Sequence, residues 1–231
     1  MSKRISWLDG WRGLVCYLMI FYHLMFDFVM FGWQPYSITQ QWPLFLLQRF
    51  IALSFIFLSG VSSHITHSNL RRGLITLGCG VVVQVVATSV GAPIRYGILQ
   101  FLGSAMVFYA LFGKYVEKVP RKLAPWLWAA LYLLTRIISY TTFVQPTWLY
   151  WLGLRSPGFQ SYDWVPFIPN IFMFFLGSWF AGVVLESPAE SRLRTGDAPG
   201  FLTWIGRRTL IVYMLHQPIL YGGCWLVYHL L

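Results

Sequence analysis

Charged residues are scarce in this sequence, and acidic residues are the scarcest. Only 10% of the 231 residues are charged, and 7 acidic side chains stand against 17 basic ones. A typical soluble domain carries about 25% charged residues. Here the hydrophobic share is 57% and the mean hydropathy is +0.60. This composition excludes a soluble globule, a disordered chain and a disulfide scaffold, and it predicts an integral membrane protein.

Cysteines and recognisable catalytic motifs are also few. The three cysteines are an odd number, and each lies in an apolar stretch, where cysteine behaves as a small buried hydrophobe. His64 and His67 have ligand-like spacing without a third ligand nearby, so we expect no metal. The sequence has no glycine-rich phosphate loop, HExxH motif or serine nucleophile elbow. The first apolar run lacks a signal-peptide cleavage site, so we expect it to remain as an anchor.

Apolar runs long enough to cross a bilayer make up most of the chain. A spanning helix needs roughly 20 residues, and about seven runs come close to this length. They predict an all-α, polytopic transmembrane helix bundle that forms a single domain over residues 1–231. The predicted spans are 13–31, 42–63, 74–90, 96–112, 123–144, 164–185 and 209–231.

Basic residues are concentrated in every second loop between these runs. The basic loops are 3–4, 71–72, 114–122 and 192–208. The loops on the other side of the membrane have only two basic residues, Arg95 and Arg155. Under the positive-inside rule this alternation predicts a cytoplasmic N-terminus and an external C-terminus. It also explains the net charge of +10 without nucleic acid as a partner. A compact basic membrane protein of this kind fits the bacterial inner membrane.

Four ionisable residues share one face of a helix that includes the first predicted span. Arg12 and His23 are eleven residues apart, which places them on the same helix face about 16 Å from each other. Asp27 lies one turn beyond His23 and is predicted to orient the imidazole. Asp9 lies three residues before Arg12 and is predicted to pair with it. Charged groups at membrane depth point to function, although a polar core that only fixes helix packing is the alternative.

Two later spans also carry polar residues at membrane depth. Arg49 is predicted at the level of Asp27, and the two are expected to pair because an unpaired arginine facing lipid is costly. In the last span, Pro218 frees a backbone carbonyl and kinks the helix. His216, two residues earlier, fits an active-site group and a core residue equally well.

The outer side of the predicted bundle carries further polar and aromatic residues. Gln100 needs buried hydrogen-bond partners. Asp163 precedes the sixth span, where it caps that helix or binds an acceptor, with capping favoured. The tryptophans and tyrosines of the outer loops fit either an interfacial belt or a platform for sugar rings, and the belt is favoured.

Five segments of the chain, in order, resemble one enzyme family. They are 4–23, 49–61, 97–103, 163–169 and 210–218. Together they resemble the catalytic-domain family of heparan-α-glucosaminide N-acetyltransferases. The spacing from Arg12 to His23 resembles that of the wider clan of transmembrane acyltransferases that O-acetylate surface polysaccharides. Gln100 stands where relatives often have histidine.

The resemblance implies transfer of an acetyl group from cytosolic acetyl-CoA to a sugar or glycan across the membrane, forming an amide or an ester. His23 would act as a general base or carry the acetyl group covalently. The residues implied for catalysis are His23, Asp27, Arg49 and His216; those for acetyl-CoA are Arg4, Asp9 and Arg12; those for the acceptor are Arg95, Gln100 and Asp163. The expected partners are the glycan acceptor, the bilayer and a second copy of the chain in a homodimer.

Two functions of other classes fit the same residues. A proton-coupled transporter also uses intramembrane histidine and aspartate, but the sequence has no repeat symmetry and no paired broken helices. A non-catalytic membrane scaffold would tolerate simultaneous neutral replacement of His23 and Asp27.

Overall fold

The computed structural model describes residues 5–184 and 198–230. Within these ranges the chain is helical and contains no β-strand, which confirms the predicted all-α class. The α-helices are α1 (Ser6–Met30), α2 (Trp42–Ile65), α3 (Asn69–Ser89), α4 (Ile98–Val116), α5 (Ala124–Thr141), α6 (Phe167–Val184), α7 (Gly200–Arg207) and α8 (Thr209–Leu230). Short 3-10 helices lie at Tyr36–Gln40 and Thr147–Leu152.

Six of the helices in the described ranges are long and apolar enough to cross a membrane. They are α1, α2, α3, α4, α6 and α8. The predicted span 123–144 corresponds to α5, an 18-residue helix that carries Arg136 and is not among the six. The expectation of about seven spans is therefore close, and the transmembrane fold class is confirmed.

Two helices begin earlier than the apolar runs that predicted them. The first run was placed at 13–31 and the third at 74–90, but α1 starts at Ser6 and α3 at Asn69. The added turns carry polar residues, among them Asp9 and Arg71. An apolar window detects only the hydrocarbon-spanning part, whereas helical hydrogen bonding continues into the polar interface.

The contacts group the chain into two compact units. Unit 1 comprises residues 1–55 and 188–231, and unit 2 comprises residues 56–187, so α2 contributes to both. The single domain predicted over the whole chain remains a prediction.

The core of unit 1 forms where α1 packs against the first part of α2. Val15, Cys16 and Met19 of α1 pack with Ile51 and Phe55 of α2, and all five are buried. Partly buried residues of α7 and α8 pack around them, including Ile205, Val212 and Tyr213. Cys16 is thus a buried core residue with a free thiol, as its apolar setting predicts.

Glycines bring α7 against the N-terminal part of α1. A side chain at Gly13 would overlap the carbonyl of Leu202, and one at Gly206 would overlap the carbonyl of Asp9. Small residues at such positions let two helix backbones approach closely. This contact places the end of α7, with Arg207, next to the start of α1.

Glycines also allow close approach of helix backbones at two places in unit 2. Between α3 and α4, a side chain at Gly73 or Gly103 would crowd the facing backbone. Between the end of α2 and α6, a side chain at Gly60 or Gly177 would overlap a carbonyl of the other helix. Trp128 of α5 packs against Phe172 and Phe175 of α6 and completes the unit.

Candidate functional site

Two imidazoles meet where α1 packs against α8 in unit 1. The ring centroids of His23 and His216 lie 4.8 Å apart, and the ring planes are 87° to each other. His216 is 7% exposed, and His23 is partly buried. The sequence singles out both residues separately, and the structure brings them together.

Backbone carbonyls fix the tautomer of each imidazole. His23 Nδ1 lies 3.0 Å from the carbonyl oxygen of Met19, and His216 Nδ1 lies 2.6 Å from that of Tyr213. A carbonyl can only accept, so Nδ1 must be the donor in both rings. Each neutral ring therefore presents Nε2 as a proton acceptor. Among the described residues, His216 Nε2 is buried and has no hydrogen-bond partner.

Asp27 binds an amide instead of orienting His23. Its Oδ1 accepts a 2.7 Å hydrogen bond from Gln217 Nε2, and the residue is only 1% exposed. The sequence predicts that Asp27 holds the tautomer of His23, and this is wrong because the Met19 carbonyl does so. Side chains on a helix lean towards its N-terminus, so the ring of His23 points back to Met19 and away from Asp27.

A second cluster of polar residues, formed by charged side chains, lies around Asp9 at the start of α1. Arg12 Nη1 donates to Asp9 Oδ1 at 2.6 Å, which confirms the predicted pairing. Arg207 Nε lies 3.5 Å from the other carboxylate oxygen, Oδ2. Asp9 is 5% exposed, so it is a buried carboxylate between two guanidinium groups. Arg4, predicted to act beside Arg12, lies outside the described residues.

Arg49 lies in the part of α2 that belongs to unit 1. Its guanidinium carbon is 5.0 Å from the centroid of the Phe45 ring, in a cation–π arrangement. The predicted pairing of Arg49 with Asp27 stays a prediction.

The three residues predicted to bind the acceptor lie together in unit 2, around the start of α4. Gln100 Oε1 accepts from the backbone N–H of Gly97 at 2.8 Å, and its amide nitrogen donates to Gln84. Asp163 Oδ2 accepts from the backbone N–H of Ile98 at 2.8 Å. Arg95 lies over the ring of Phe159, 5.8 Å from its centroid.

Asp163 therefore caps α4, whereas the sequence favours a cap on the following helix, α6. That expectation is wrong because α6 begins at Phe167, so Asp163 lies too far upstream to reach its first N–H groups. Burial raises the pKa of the Asp163 carboxyl to about 6, although the Ile98 N–H opposes the shift. Burial also raises the pKa of nearby Tyr96 to about 12.

A further polar cluster in unit 2 joins the ends of α2 and α4 with α6. Tyr109 donates to Glu117 at 2.5 Å and lies 2.6 Å from the Ser178 hydroxyl. His64 Nδ1 lies 3.1 Å from the same Glu117 oxygen. His64, Glu117 and Ser178 line a cavity of about 270 Å³ whose walls include Trp128. The spacing of His64 and His67 gave no indication of this cluster.

Sequence reasoning missed two residues of the unit 1 site. Gln217 was not assigned a role, although an amide beside an intramembrane histidine is itself a signal. Arg207 was assigned only to a basic loop. Its approach to Asp9 depends on the glycine contact between α1 and α7, which a single sequence does not reveal.

The arrangement in unit 1 can accept protons inside an apolar environment. Among the described residues, three atoms of this cluster are buried without a hydrogen-bond partner: Asp27 Oδ2, His216 Nε2 and Gln217 Oε1. All three can accept a hydrogen bond, and a buried acceptor without a partner lowers the stability of the folded state. The cluster is therefore suited to a group that donates N–H or O–H hydrogens.

The fold and this site define a polytopic membrane protein with a buried histidine and carboxylate cluster between two of its helices. The family described as "Heparan-alpha-glucosaminide N-acetyltransferase, catalytic" matches residues 4–218, so the chain belongs to that family. The family implies a transmembrane acetyltransferase. Neither a curated protein nor a solved structure matches the chain.

Proposed function

We propose that the protein transfers an acetyl group from cytosolic acetyl-CoA to a sugar or glycan on the other side of a bacterial inner membrane. The observation that carries the proposal is the contact of His23 with His216 beside the Asp27–Gln217 pair, inside helices long enough to span a bilayer. The family supports the acetyl transfer in general.

His23 is proposed as the general base. Because its Nδ1–H is bound to the Met19 carbonyl, Nε2 is the nitrogen that takes a proton. The acceptor nitrogen or oxygen forms a bond to the thioester carbonyl carbon and gives its proton to Nε2. The carbon–sulfur bond then breaks, and the CoA thiolate leaves and takes the proton. In the alternative route, Nε2 itself attacks the thioester carbonyl carbon, the carbon–sulfur bond breaks and the CoA thiolate leaves. The acceptor then attacks the acetyl carbon, the bond to Nε2 breaks, and the acceptor's proton goes to the thiolate.

The donor is proposed to enter at the Asp9 cluster. Arg12 and Arg207 supply two guanidinium groups that fit phosphate oxygens, and Asp9 holds both in place. Arg12 precedes His23 by eleven residues on one helix, a rise of about 16 Å. An extended pantetheine arm has about the same length, so phosphates held at Arg12 place the thioester near His23.

The acceptor is proposed to meet His23 at the cluster of unpaired acceptors. Arg49 is proposed to pair with the Asp27 carboxylate or to stabilise the oxyanion that forms on the thioester carbonyl. Arg95, Gln100 and Asp163 remain proposed acceptor-binding residues of unit 2. Gln100 and Asp163 also shape the start of α4, so their substitution affects local structure as well.

Thermal unfolding of the detergent-purified protein with acetyl-CoA tests the donor site. A ligand at 100 times its Kd stabilises the folded state by about 2.7 kcal/mol, so acetyl-CoA is expected to raise the Tm. Arg12→Ala should largely lose the increase, and His23→Ala should keep it because His23 acts on the transferred group. Arg136→Ala is a matched control, since Arg136 of α5 lies against Tyr140 in unit 2.

The result of this titration decides between the donor site and its alternatives. An increase that persists in Arg12→Ala would contradict binding at Arg12. If millimolar acetyl-CoA does not raise the Tm, acetyl-CoA is not the donor substrate. A proton-coupled transporter would then be the favoured function.

A further inference from the structure

Gln217 lies in the cluster at a position that the family resemblance leaves without a role. It follows His216 directly on α8, and its amide reaches across to α1. The donor–acceptor distance from Nε2 to Asp27 Oδ1 is 2.7 Å. A carboxylate only accepts hydrogen bonds, so the nitrogen end of the Gln217 amide must face Asp27.

Consecutive residues of α8 thus contact two residues of α1 that are one helical turn apart. His216 packs edge-to-face on His23, and Gln217 binds Asp27. Asp27 is 1% exposed, so its rotamer is set by this hydrogen bond and by packing. The bond occupies Oδ1, and Oδ2 is the carboxylate oxygen that has no hydrogen-bond partner among the described residues.

We infer that Gln217 is a positioning residue for the acetyl transfer proposed above: it holds Asp27 so that Oδ2 receives a hydrogen of the acceptor beside His23. The inference rests on the proposed function. A buried charge-assisted hydrogen bond is strong and directional, so it can define where the acceptor amine or hydroxyl is held. Gln217 acts through Asp27 and does not itself exchange a proton.

Substitution at Gln217 separates positioning from folding. Gln217→Met keeps the length of the side chain but removes the amide, so the hydrogen bond to the carboxylate is lost. A hydrogen bond to a charged group is worth about 1.5–3 kcal/mol. The expected result is a fall in kcat/KM for the acceptor of about 10- to 100-fold, with the acetyl-CoA concentration for half-maximal stabilisation unchanged within about twofold. Gln48→Met, the same change in α2 of unit 1, is the matched control and should keep wild-type activity.

An exchange of the two groups provides the decisive variant. Asp27→Asn removes the carboxylate, and Gln217→Glu places a second carboxylate beside the first, so both single changes should lower activity and Tm. Asp27→Asn with Gln217→Glu restores one amide and one carboxylate in reversed order. The double variant should recover the Tm and part of the activity lost by Asp27→Asn alone.

The assay follows transfer of radiolabelled acetyl from acetyl-CoA to glucosamine, with glucose as the acceptor without an amine. A wild-type protein that acetylates neither sugar would count against the proposed function. An active wild type with unchanged kinetics in Gln217→Met would refute the positioning role alone. A double variant that recovers neither the Tm nor any activity would also refute it, because the hydrogen bond between residues 27 and 217 would then not be what holds the carboxylate.

Discussion

The contact between α1 and α7 makes a quantitative prediction for Gly206→Ala. A Cβ at this position would overlap the carbonyl oxygen of Asp9 and would lie 3.0 Å from the backbone nitrogen of Gly13. Both neighbours are helix backbone, which cannot turn aside as a flexible side chain can. Alanine favours a helix interior by about 1 kcal/mol over glycine, so propensity alone predicts stabilisation. Overpacking of a close contact costs about 1–3 kcal/mol or more, and a backbone overlap belongs at the upper end of that range.

We therefore expect Gly206→Ala to destabilise the protein by about 2 kcal/mol net. For a chain of this size each kcal/mol lowers the Tm by about 2–4 °C, so the fall should be roughly 4–8 °C. Tryptophan fluorescence during heating in detergent measures it. Since α7 carries Arg207 towards Asp9, the stabilisation by acetyl-CoA should also weaken.

Gly222→Ala is the matched control because a Cβ at Gly222 of α8 would have no atom within 4 Å. This variant should keep or slightly raise the Tm through helix propensity. If Gly206→Ala were as stable as Gly222→Ala, α1 and α7 would have room for a methyl group, and the predicted overlap with the Asp9 carbonyl would be wrong.

Three other substitutions test separate parts of the structure. The pKa of Asp163 in the folded protein is about 6, above its ordinary value of 3.8. The protonated carboxyl therefore contributes fully to the free energy of unfolding below about pH 4, and this contribution is lost as the pH rises through 6. The Tm should fall between pH 4 and 7 in the wild type, and this slope should be smaller in Asp163→Asn. Tyr109→Phe should cost about 1–3 kcal/mol, read as a lower Tm, because Glu117 and Ser178 lose a shared partner; an unchanged Tm would show that the cluster is not stabilising. Asp9→Asn leaves Arg12 without its carboxylate and should lower the Tm, whereas the double change with Arg12→Gln should recover part of the loss; an unchanged Tm in Asp9→Asn would show that the pair is not stabilising.

Hydropathy and local spacing account for most of the fold. Long apolar runs with few charges predicted the all-α transmembrane class, and the i, i+3 spacing of Asp9 and Arg12 predicted their ion pair. The fifth span was predicted from the same signal, but α5, although as long as α6, is less apolar than the six candidate spans. Helix starts were misplaced where polar residues extend a helix beyond its apolar part.

The sequence predicted most residues of the unit 1 site but not the contacts between them. His23 and His216 stood out because imidazoles are unusual at membrane depth, yet their contact depends on how α1 packs against α8. Sequence spacing placed Asp27 one turn from His23 without showing that the ring leans the other way. Gln217 is uncharged, so a search for ionisable groups did not select it.

The role of His23 is tested by comparing acetyl transfer from acetyl-CoA to glucosamine by the purified wild type and by His23→Ala. We expect the wild type to transfer acetyl and His23→Ala to lose at least about 100-fold in rate, the usual contribution of a general base. Acetyl-CoA should still raise the Tm of the variant. Full activity in His23→Ala would show that His23 is not the general base, and His216 would become the leading candidate for that role.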